Sequence, residues 1–259
     1  MNPAGGSQAW PFPVNHRASN VRGNLPRCSR LRMRGILLTS AEQHYSHMKR
    51  PRTDPLKPRK KPRQRRSRVT IDSIFEAAIQ VLLANGLEAV TTVQIAERAG
   101  VSVGSLYQYF PNKNALLAAV VRRHVGEVVD STIAACRSVH GKNIRDMCAA
   151  MMSAFVDAKT RKPEVSRALY LPSAAVNADE IVREESIRCA EAVRDMLHTA
   201  SDASFEHLPV VSRMLVGSIV APTRAVIEAG GGRADFERLK LHLTALAVGY
   251  LKEMSARPG

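Results

Sequence analysis

The sequence has few aromatic residues, few cysteines and no long apolar run. Only 5% of its 259 residues are aromatic, and Val and Ile recur mostly at helical spacing, so a β-rich fold is not expected. The four cysteines are far apart and form no C-x-x-C pair, which argues against a disulfide scaffold or a zinc finger. Neither an 18-residue apolar segment nor a signal peptide is present, so we expect a cytoplasmic protein that does not contact a membrane.

Motifs for catalysis and for cofactors are also missing. The sequence contains no G-x-S-x-G elbow, no P-loop and no G-x-G-x-x-G run. Its eight histidines are scattered without metal-ligand spacing. We therefore predict no enzyme activity, no cofactor and no metal. Redox sensing through Cys136 and Cys148 is a minor alternative, since buried structural thiols are the more common case.

The positive charge is concentrated at the start of the chain. The formal net charge is +15, and residues 1 to 68 hold 17 Lys and Arg but only two acidic residues. Residues 1–48 lack any apolar period and are predicted to be a disordered extension, which an alternative start at Met33 or Met48 would remove in part or whole. Residues 49–68 form a basic, Pro-rich arm. This arm is either a solvated linker or a segment that follows phosphates or enters a minor groove.

Everything after residue 68 is predicted to be helical, which gives an all-α fold. Thr70 is the expected N-cap of a first helix that ends at Asn85-Gly86. Thr91 and Gln94 form a capping box for a second helix that stops at Gly100. A third helix opens at Ser102 and ends before Pro111, and a fourth opens near Asn112. Five further helices are predicted at residues 143–160, 163–171, 178–200, 208–229 and 234–256.

The segment 91–117 has the pattern of a helix-turn-helix. Its two short helices meet at Gly100, and apolar side chains hold them together. The remaining face of the second helix has no acidic residue, so a phosphate surface can approach it. A purely structural helical hairpin is the alternative, but the polar outer face favours a DNA reader. The predicted DNA contacts are Thr91, Thr92, Val103, Gly104, Ser105, Tyr107, Gln108, Tyr109 and Lys113.

These residues have different predicted roles at DNA. Gln108 can pair with adenine, Ser105 can meet several base edges, and Val103 can touch a thymine methyl group. Gly104 allows the backbone to come close to the bases. The tyrosines are expected to donate to phosphates, Lys113 and the start of the fourth helix to hold a phosphate, and the two threonines to clamp the backbone.

Residues 68 to about 124 resemble the DNA-binding domain of the TetR family of repressors. The resemblance rests on IAERAGVS at residues 95–102 and LYQYFPNK at residues 106–113. It implies a three-helix DNA-binding domain at residues 69–124, followed by a helical ligand-binding and dimerisation domain at residues 125–256. It also implies a homodimer through the last two long helices, whose reading helices lie roughly 34–36 Å apart on double-stranded operator DNA.

The same resemblance implies a small-molecule effector, of unknown identity, that releases the repressor from its operator. Six side chains of the middle helices could line its pocket, although core packing explains such residues more often. They are Met147, Met151, Met152, Phe155, Leu169 and Tyr170. The alternative function is an architectural DNA-binding protein in which the basic arm dominates affinity.

Overall fold

The computed structural model describes residues 65–176 and 178–256, and the regular structure in these ranges is entirely helical. The predicted disordered extension and residues 49–64 of the basic arm lie outside the described residues. Ten helices follow one another: α1 (Arg65–Ala89), α2 (Thr92–Arg98), α3 (Val103–Tyr109), α4 (Lys113–Ser138), α5 (Ile144–Thr160), α6 (Pro163–Ala168), α7 (Tyr170–Ala175), α8 (Asp179–Leu197), α9 (Leu208–Glu228) and α10 (Arg233–Met254).

The start of α1 differs from the prediction. Thr70 is not an N-cap, because the helix already includes Arg65. No proline lies between Pro62 and Thr70, and arginine is a good helix former, so nothing in residues 65–69 opposes the extra turn. The end agrees better with the sequence, since Gly86 leaves the helical region with φ 73° and ψ 169°. The last four residues of the basic arm are therefore helical rather than extended.

The three predicted caps around α2, α3 and α4 are confirmed. The Thr91 hydroxyl accepts from the Gln94 backbone N–H at 3.2 Å, while the Thr91 N–H donates to the Gln94 side chain at 3.1 Å. The Ser102 hydroxyl accepts from the Ser105 N–H at 3.0 Å. The Asn112 side chain accepts from the Ala115 N–H at 2.8 Å. Each cap satisfies a backbone donor that the first helical turn leaves free.

Helix α4 runs for 26 residues through both predicted domains without a break. Its first half packs with α1, α2 and α3 in one hydrophobic cluster, and its second half packs with α5, α8, α9 and α10 in another. The first cluster also includes Val165, Leu169, Val176 and Ile181 from later helices. The core beneath the helix-turn-helix is therefore completed by residues from the other half of the chain.

The segment predicted as one helix at residues 163–171 forms two short helices instead. Helix α6 ends at Ala168, with Leu169 as its C-cap, and α7 begins at Tyr170. Pro172 cannot donate an N–H within a continuing helix, but it is tolerated in the first turn of a new one. A new helix beginning two residues before Pro172 meets that condition.

Helices α9 and α10 lie close to the predicted limits, and each buries only one side. Leu215, Ile219, Leu243 and Leu251 are at most 3% exposed. Other large apolar side chains of the same helices are at least 41% exposed, namely Val210, Met214, Val220, Leu241, Leu246 and Met254. We call this set the outer apolar face. By length and composition α9 and the Ser67–Ala89 part of α1 could each cross a membrane, but both bury residues in the protein.

Candidate functional site

The turn between α2 and α3 is fixed by glycine and by two backbone hydrogen bonds. Gly100 has φ 68°, a conformation that other residues adopt only with strain. The Gly100 N–H donates to the Glu97 carbonyl at 3.1 Å, and the Val101 N–H donates to the Ala96 carbonyl at 3.0 Å. This pair of bonds is a Schellman motif, which ends α2 and redirects the chain into α3.

One side of the α2–α3 pair is completely buried. Ile95, Ala96, Leu106 and Phe110 are each at most 1% exposed. The Phe110 ring also lies 5.7 Å from the ring of Phe75 on α1. Because these contacts fix the rotation of α3 about its axis, they also fix which side chains point away from the protein.

The other side of α3 is polar and open. Tyr107, Gln108 and Gly104 are exposed, while Val103, Ser105 and Tyr109 are partly buried. Within α3 no side chain is charged. A Cβ atom on Gly104 would meet nothing closer than the Ser102 Oγ at 3.9 Å. Packing inside the protein therefore does not require a glycine there, and the small residue leaves space on the outer surface.

A hydrogen bond that the sequence did not suggest joins α2 to α3. The Thr92 Oγ1 and the Tyr107 hydroxyl lie 3.0 Å apart. Tyr107 was predicted to donate to a phosphate, and its hydroxyl is held against the first residue of α2. A hydroxyl can donate once and accept twice, so Tyr107 keeps capacity for a further partner. The same holds for Thr91, whose oxygen accepts the capping bond of α2 and whose proton is still available.

The start of α4 offers a cation and free backbone amides together. Lys113 is the first residue of α4 and is partly exposed. The preceding Asn112, which was not among the predicted contacts, caps this end of the helix. A helix N-terminus carries partial positive charge and unpaired N–H groups, both of which favour a phosphate.

Comparison with known proteins agrees with this geometry. The model of the tetR family of bacterial regulatory proteins matches residues 74–120, and the model of the tetracyclin repressor-like C-terminal domain matches residues 143–251. The transcriptional activator FasR of Mycolicibacterium smegmatis is 30% identical over 152 residues, which cover 57% of this chain and 68% of FasR. This chain belongs to the TetR family. Members of the family are DNA-binding transcriptional regulators and not enzymes.

Other similar proteins include a repressor and solved structures of the same fold. The repressor KstR of Rhodococcus jostii is 29% identical over 57% of this chain and 70% of KstR. A TetR regulator from Haloarcula marismortui superposes with a TM-score of 0.58 at 17% identity, over 72% of this chain and 98% of that one. FadR from Bacillus subtilis, solved with stearoyl-CoA, superposes with a TM-score of 0.56 at 17% identity, over 68% of this chain and 97% of FadR.

A second candidate site is a cavity of about 520 Å³ among α4 to α9, which we call the central cavity. Of the six side chains proposed from the sequence, Phe155, Leu169 and Tyr170 line it. Met147, Met151 and Met152 do not line it, because they are fully buried in the core. The sequence did not suggest its other polar lining residues, which include His124, Lys159, Ser166, Thr223 and Arg224.

Two cations meet one aromatic ring at the wall of this cavity. The Lys159 Nζ lies 5.3 Å and the Arg224 Cζ 4.7 Å from the centre of the Tyr170 ring. Burial, with a smaller effect from Arg224, lowers the pKa of Lys159 to about 8. Burial also raises the pKa of Tyr170 to about 12. The Tyr170 hydroxyl is buried and has no hydrogen-bond partner among the described residues.

A short hydrogen-bonded chain connects α4 with the end of α5. The Ser166 hydroxyl donates to the Lys159 carbonyl at 2.6 Å, and the same oxygen lies 3.1 Å from the His124 Nε2. Since the single hydroxyl proton goes to the carbonyl, the His124 Nε2 is the donor of the second bond. Burial, and to a lesser extent Lys159, lowers the pKa of His124 to about 4, so this histidine is neutral at pH 7.

The three described cysteines do not form a reactive site. Cys136, Cys148 and Cys189 are buried free thiols. Burial raises the pKa of Cys136 and Cys148 to about 12 and that of Cys189 to about 11. Because the thiolate is the reactive form, this environment opposes the redox alternative considered for Cys136 and Cys148.

A separate groove of about 620 Å³ lies among α1, α4, α5 and α6. Many of its lining side chains are charged, with both signs represented. One carboxylate and one guanidinium of this lining, Asp72 and Arg123, pair across α1 and α4 at 2.6 Å. The groove is larger than the central cavity but more polar, so the central cavity is the better site for a small organic ligand.

Proposed function

We propose that this chain is a dimeric repressor that leaves its operator when a small molecule fills the central cavity. The observation that carries the proposal is the continuity of α4, which begins at Lys113 beside α3 and lines the central cavity with Val121, Val125, Val128 and Val129. One rigid element therefore belongs to both sites. A ligand that binds more tightly to one position of α4 changes the affinity for DNA. By linkage, DNA changes the affinity for the ligand by the same factor.

Contacts around the cavity support this coupling. Leu169 lines the central cavity and is also part of the hydrophobic cluster beneath the helix-turn-helix. His124 on α4 reaches the end of α5 through Ser166. A ligand that moves α7 or the end of α5 would therefore shift side chains that pack against the DNA-binding half. FadR, which has this fold, was solved with stearoyl-CoA, and this supports a small-molecule site in such a fold.

Dimerisation through the outer apolar face completes the proposal. Six large apolar side chains are exposed on the two helices predicted to form the interface, and exposed apolar surface of this kind supports an interaction site there. Two copies related by a two-fold axis would present two α3 helices to successive turns of operator DNA in the cytoplasm.

The reading role of α3 is tested by selecting bound sequences from a random DNA pool. Gln108→Ala is expected to relax base preference at one position of each half-site, because it removes an adenine-specific pair. Lys113→Ala is the matched control. It is expected to weaken all sites alike and to reduce the salt slope by about one unit. If both variants lose affinity with no change in preference, α3 does not read bases through Gln108.

The architectural alternative draws support from the charge distribution. Residues 69–124 contain four basic and four acidic residues, whereas residues 49–64 contain eight basic residues and one acidic residue. Removal of residues 1–64 retains every described helix and separates the two functions. A repressor is expected to keep its operator preference with weaker, less salt-dependent binding. Weak binding that is uniform across sequences would favour the architectural protein.

A transcription assay tests whether a ligand releases the protein from its operator and whether the bound protein represses or activates. KstR is a repressor and FasR is an activator, and this chain resembles both. We expect purified protein to lower transcription from a promoter that carries the selected operator, and a cavity ligand to restore it. Higher transcription with the protein bound would identify an activator.

A further inference from the structure

We propose that the central cavity binds an amphiphile with an anionic head group, a carboxylate or a phosphate, and a hydrocarbon tail. The inference deepens the proposed function, because it assigns a chemical class to the effector and rests on the central cavity as its site. It follows from the charge balance of the lining, from the position of one half-buried cation and from the apolar character of the remaining walls.

The charged lining of the cavity leaves one cation uncompensated. Five charged side chains line it: Lys159, Asp179, Arg183, Glu185 and Arg224. Three of these pair with an opposite charge on their own helix, as Arg183–Glu180, Glu185–Arg188 and Arg224–Glu228. Asp179 is exposed at the start of α8. Lys159 is thus the lining cation with no carboxylate partner among the described residues.

The position of the Lys159 ammonium is fixed by its contact with the Tyr170 ring. Lys159 lies in the last turn of α5, and its ammonium sits over the Tyr170 ring together with the Arg224 guanidinium. A half-buried charge without an opposite charge is partly desolvated and unfavourable, and an anion from outside the protein would compensate it. Burial lowers the pKa of Lys159 only to about 8, so the group is still mostly protonated at pH 7.

The hydrogen-bond donors at this wall favour an oxygen-rich head group. The Tyr170 hydroxyl lacks a partner among the described residues, whereas the Thr223 hydroxyl already donates to the Ile219 carbonyl at 2.8 Å. Lys159 adds an ammonium with three donors. A carboxylate or phosphate oxygen can accept from both side chains, and such charge-assisted bonds are stronger than neutral ones.

The remaining walls suit a hydrocarbon tail. Six apolar side chains from α4, α5, α9 and the junction of α6 and α7 line them: Val128, Val129, Phe155, Leu169, Val216 and Ile219. A cavity of about 520 Å³ falls within the range of sites for small organic ligands, which are mostly apolar with a few polar groups that fix orientation. The polar cluster at Tyr170 would hold the head group, and the apolar walls would cover the tail.

The test is calorimetric titration of the full-length protein with decanoate, decyl phosphate and decanol at pH 7. The first two probes distinguish a carboxylate from a phosphate head, and the third carries no charge. We expect at least one anionic probe to bind about tenfold or more tightly than decanol, which is the usual size of one charge-assisted contact. Equal affinity for all three probes, or no binding of either anion, would overturn the proposal.

Two variants then locate the head group. Lys159→Met is expected to weaken the preferred anion about tenfold and to leave decanol binding unchanged. Lys142→Met, which removes an exposed lysine just before α5, is the matched control and is expected to change neither. Anion binding that is insensitive to Lys159→Met would also overturn the proposal, and the decanol titration shows whether the variant is folded.

Operator binding is measured separately in the presence of the preferred anion. If the anion binds at Lys159 but the operator stays bound, the ligand class is correct and the proposed release mechanism fails. If only uncharged or cationic molecules bind and these release the operator, the release mechanism holds and the ligand class is wrong.

Discussion

The two ends of α4 carry sites that are built in different ways. At the first end, α2, α3 and the caps that begin them come from one continuous segment, residues 91–113, although the core beneath them also includes residues of α1, α4 and later helices. At the second end, the polar groups of the central cavity come from six helices, α4 to α9. Their positions depend on how these helices pack rather than on local sequence.

Because of this difference, the orientation of α3 is expected to tolerate little change, whereas the ligand class of the central cavity can vary. A helix that reads DNA depends on its rotation about its own axis, and Leu106 and Phe110 fix that rotation for α3 through contacts within the helix-turn-helix and with α1. A cavity depends on side chains that project from several helices, so its ligand class can change through single substitutions while the packing stays the same.

Val210→Asp combined with Met214→Asp is expected to break the proposed dimer. Both side chains are more than half exposed on α9, and two carboxylates placed in an apolar interface would lack partners. A monomer contacts one half-site, so operator affinity should fall by about 10²–10⁴-fold. Sedimentation and gel-shift measurements check this, with Ala149→Asp on exposed α5 surface as the control. A double variant that is still dimeric would place the interface elsewhere.

Phe110→Ala and Phe155→Ala compare the packing at the two ends. Phe110 is 1% exposed and is packed against Phe75, so its loss should lower the free energy of unfolding by about 3–5 kcal/mol. Phe155 is 8% exposed and faces the central cavity, so its loss should lower the free energy of unfolding by less than the loss of Phe110 does. Urea denaturation measures both. A larger loss for Phe155→Ala would mean that the cavity wall is the better packed of the two.

Affinity for an anionic ligand is expected to fall above about pH 8. An anion raises the pKa of Lys159, so the favourable interaction is fully present below the ligand-free value of about 8 and decreases by up to about tenfold per pH unit above it. The surrounding groups are His124, neutral with a pKa of about 4, Tyr170, neutral with a pKa of about 12, and the Arg224–Glu228 ion pair.

Titrations of the preferred anion between pH 7 and pH 10 test this prediction. Decanol binding provides the control, because an uncharged head group gains nothing from the Lys159 charge. Anion affinity that stays constant across this range would remove Lys159 from the head-group site.

Gly104→Ala is expected to separate stability from DNA binding. The new Cβ meets no close contact, and alanine is the better helix former, so the free energy of unfolding should rise by about 0.5–1 kcal/mol. Operator affinity should fall, because the added methyl group lies on the face that approaches DNA. Thermal denaturation and gel-shift assays measure the two effects. Unchanged operator affinity would show that DNA does not come close to Gly104.

Much of the fold was predictable because its signals are local. The caps at Thr91, Ser102 and Asn112 are decided by residues three positions apart, and Gly100 supplies a backbone conformation that needs no distant partner. The predicted start at Thr70 was wrong because the residues before it are also compatible with a helix, and no helix breaker lies between them and Thr70. The single helix predicted at residues 163–171 was wrong because the effect of Pro172 reaches back into the preceding turn.

The family, the helical architecture and the helix-turn-helix could be predicted from the sequence alone, since caps, turns and helical periodicity depend on residues close in the chain. The packing of the helices, in contrast, is what makes α4 connect the two halves and brings Lys159, Tyr170 and Arg224 to one wall. Desolvation and cation–ring contacts depend on which side chains the packed helices bring together. No spacing along the chain encodes that meeting, so only the packed structure shows it.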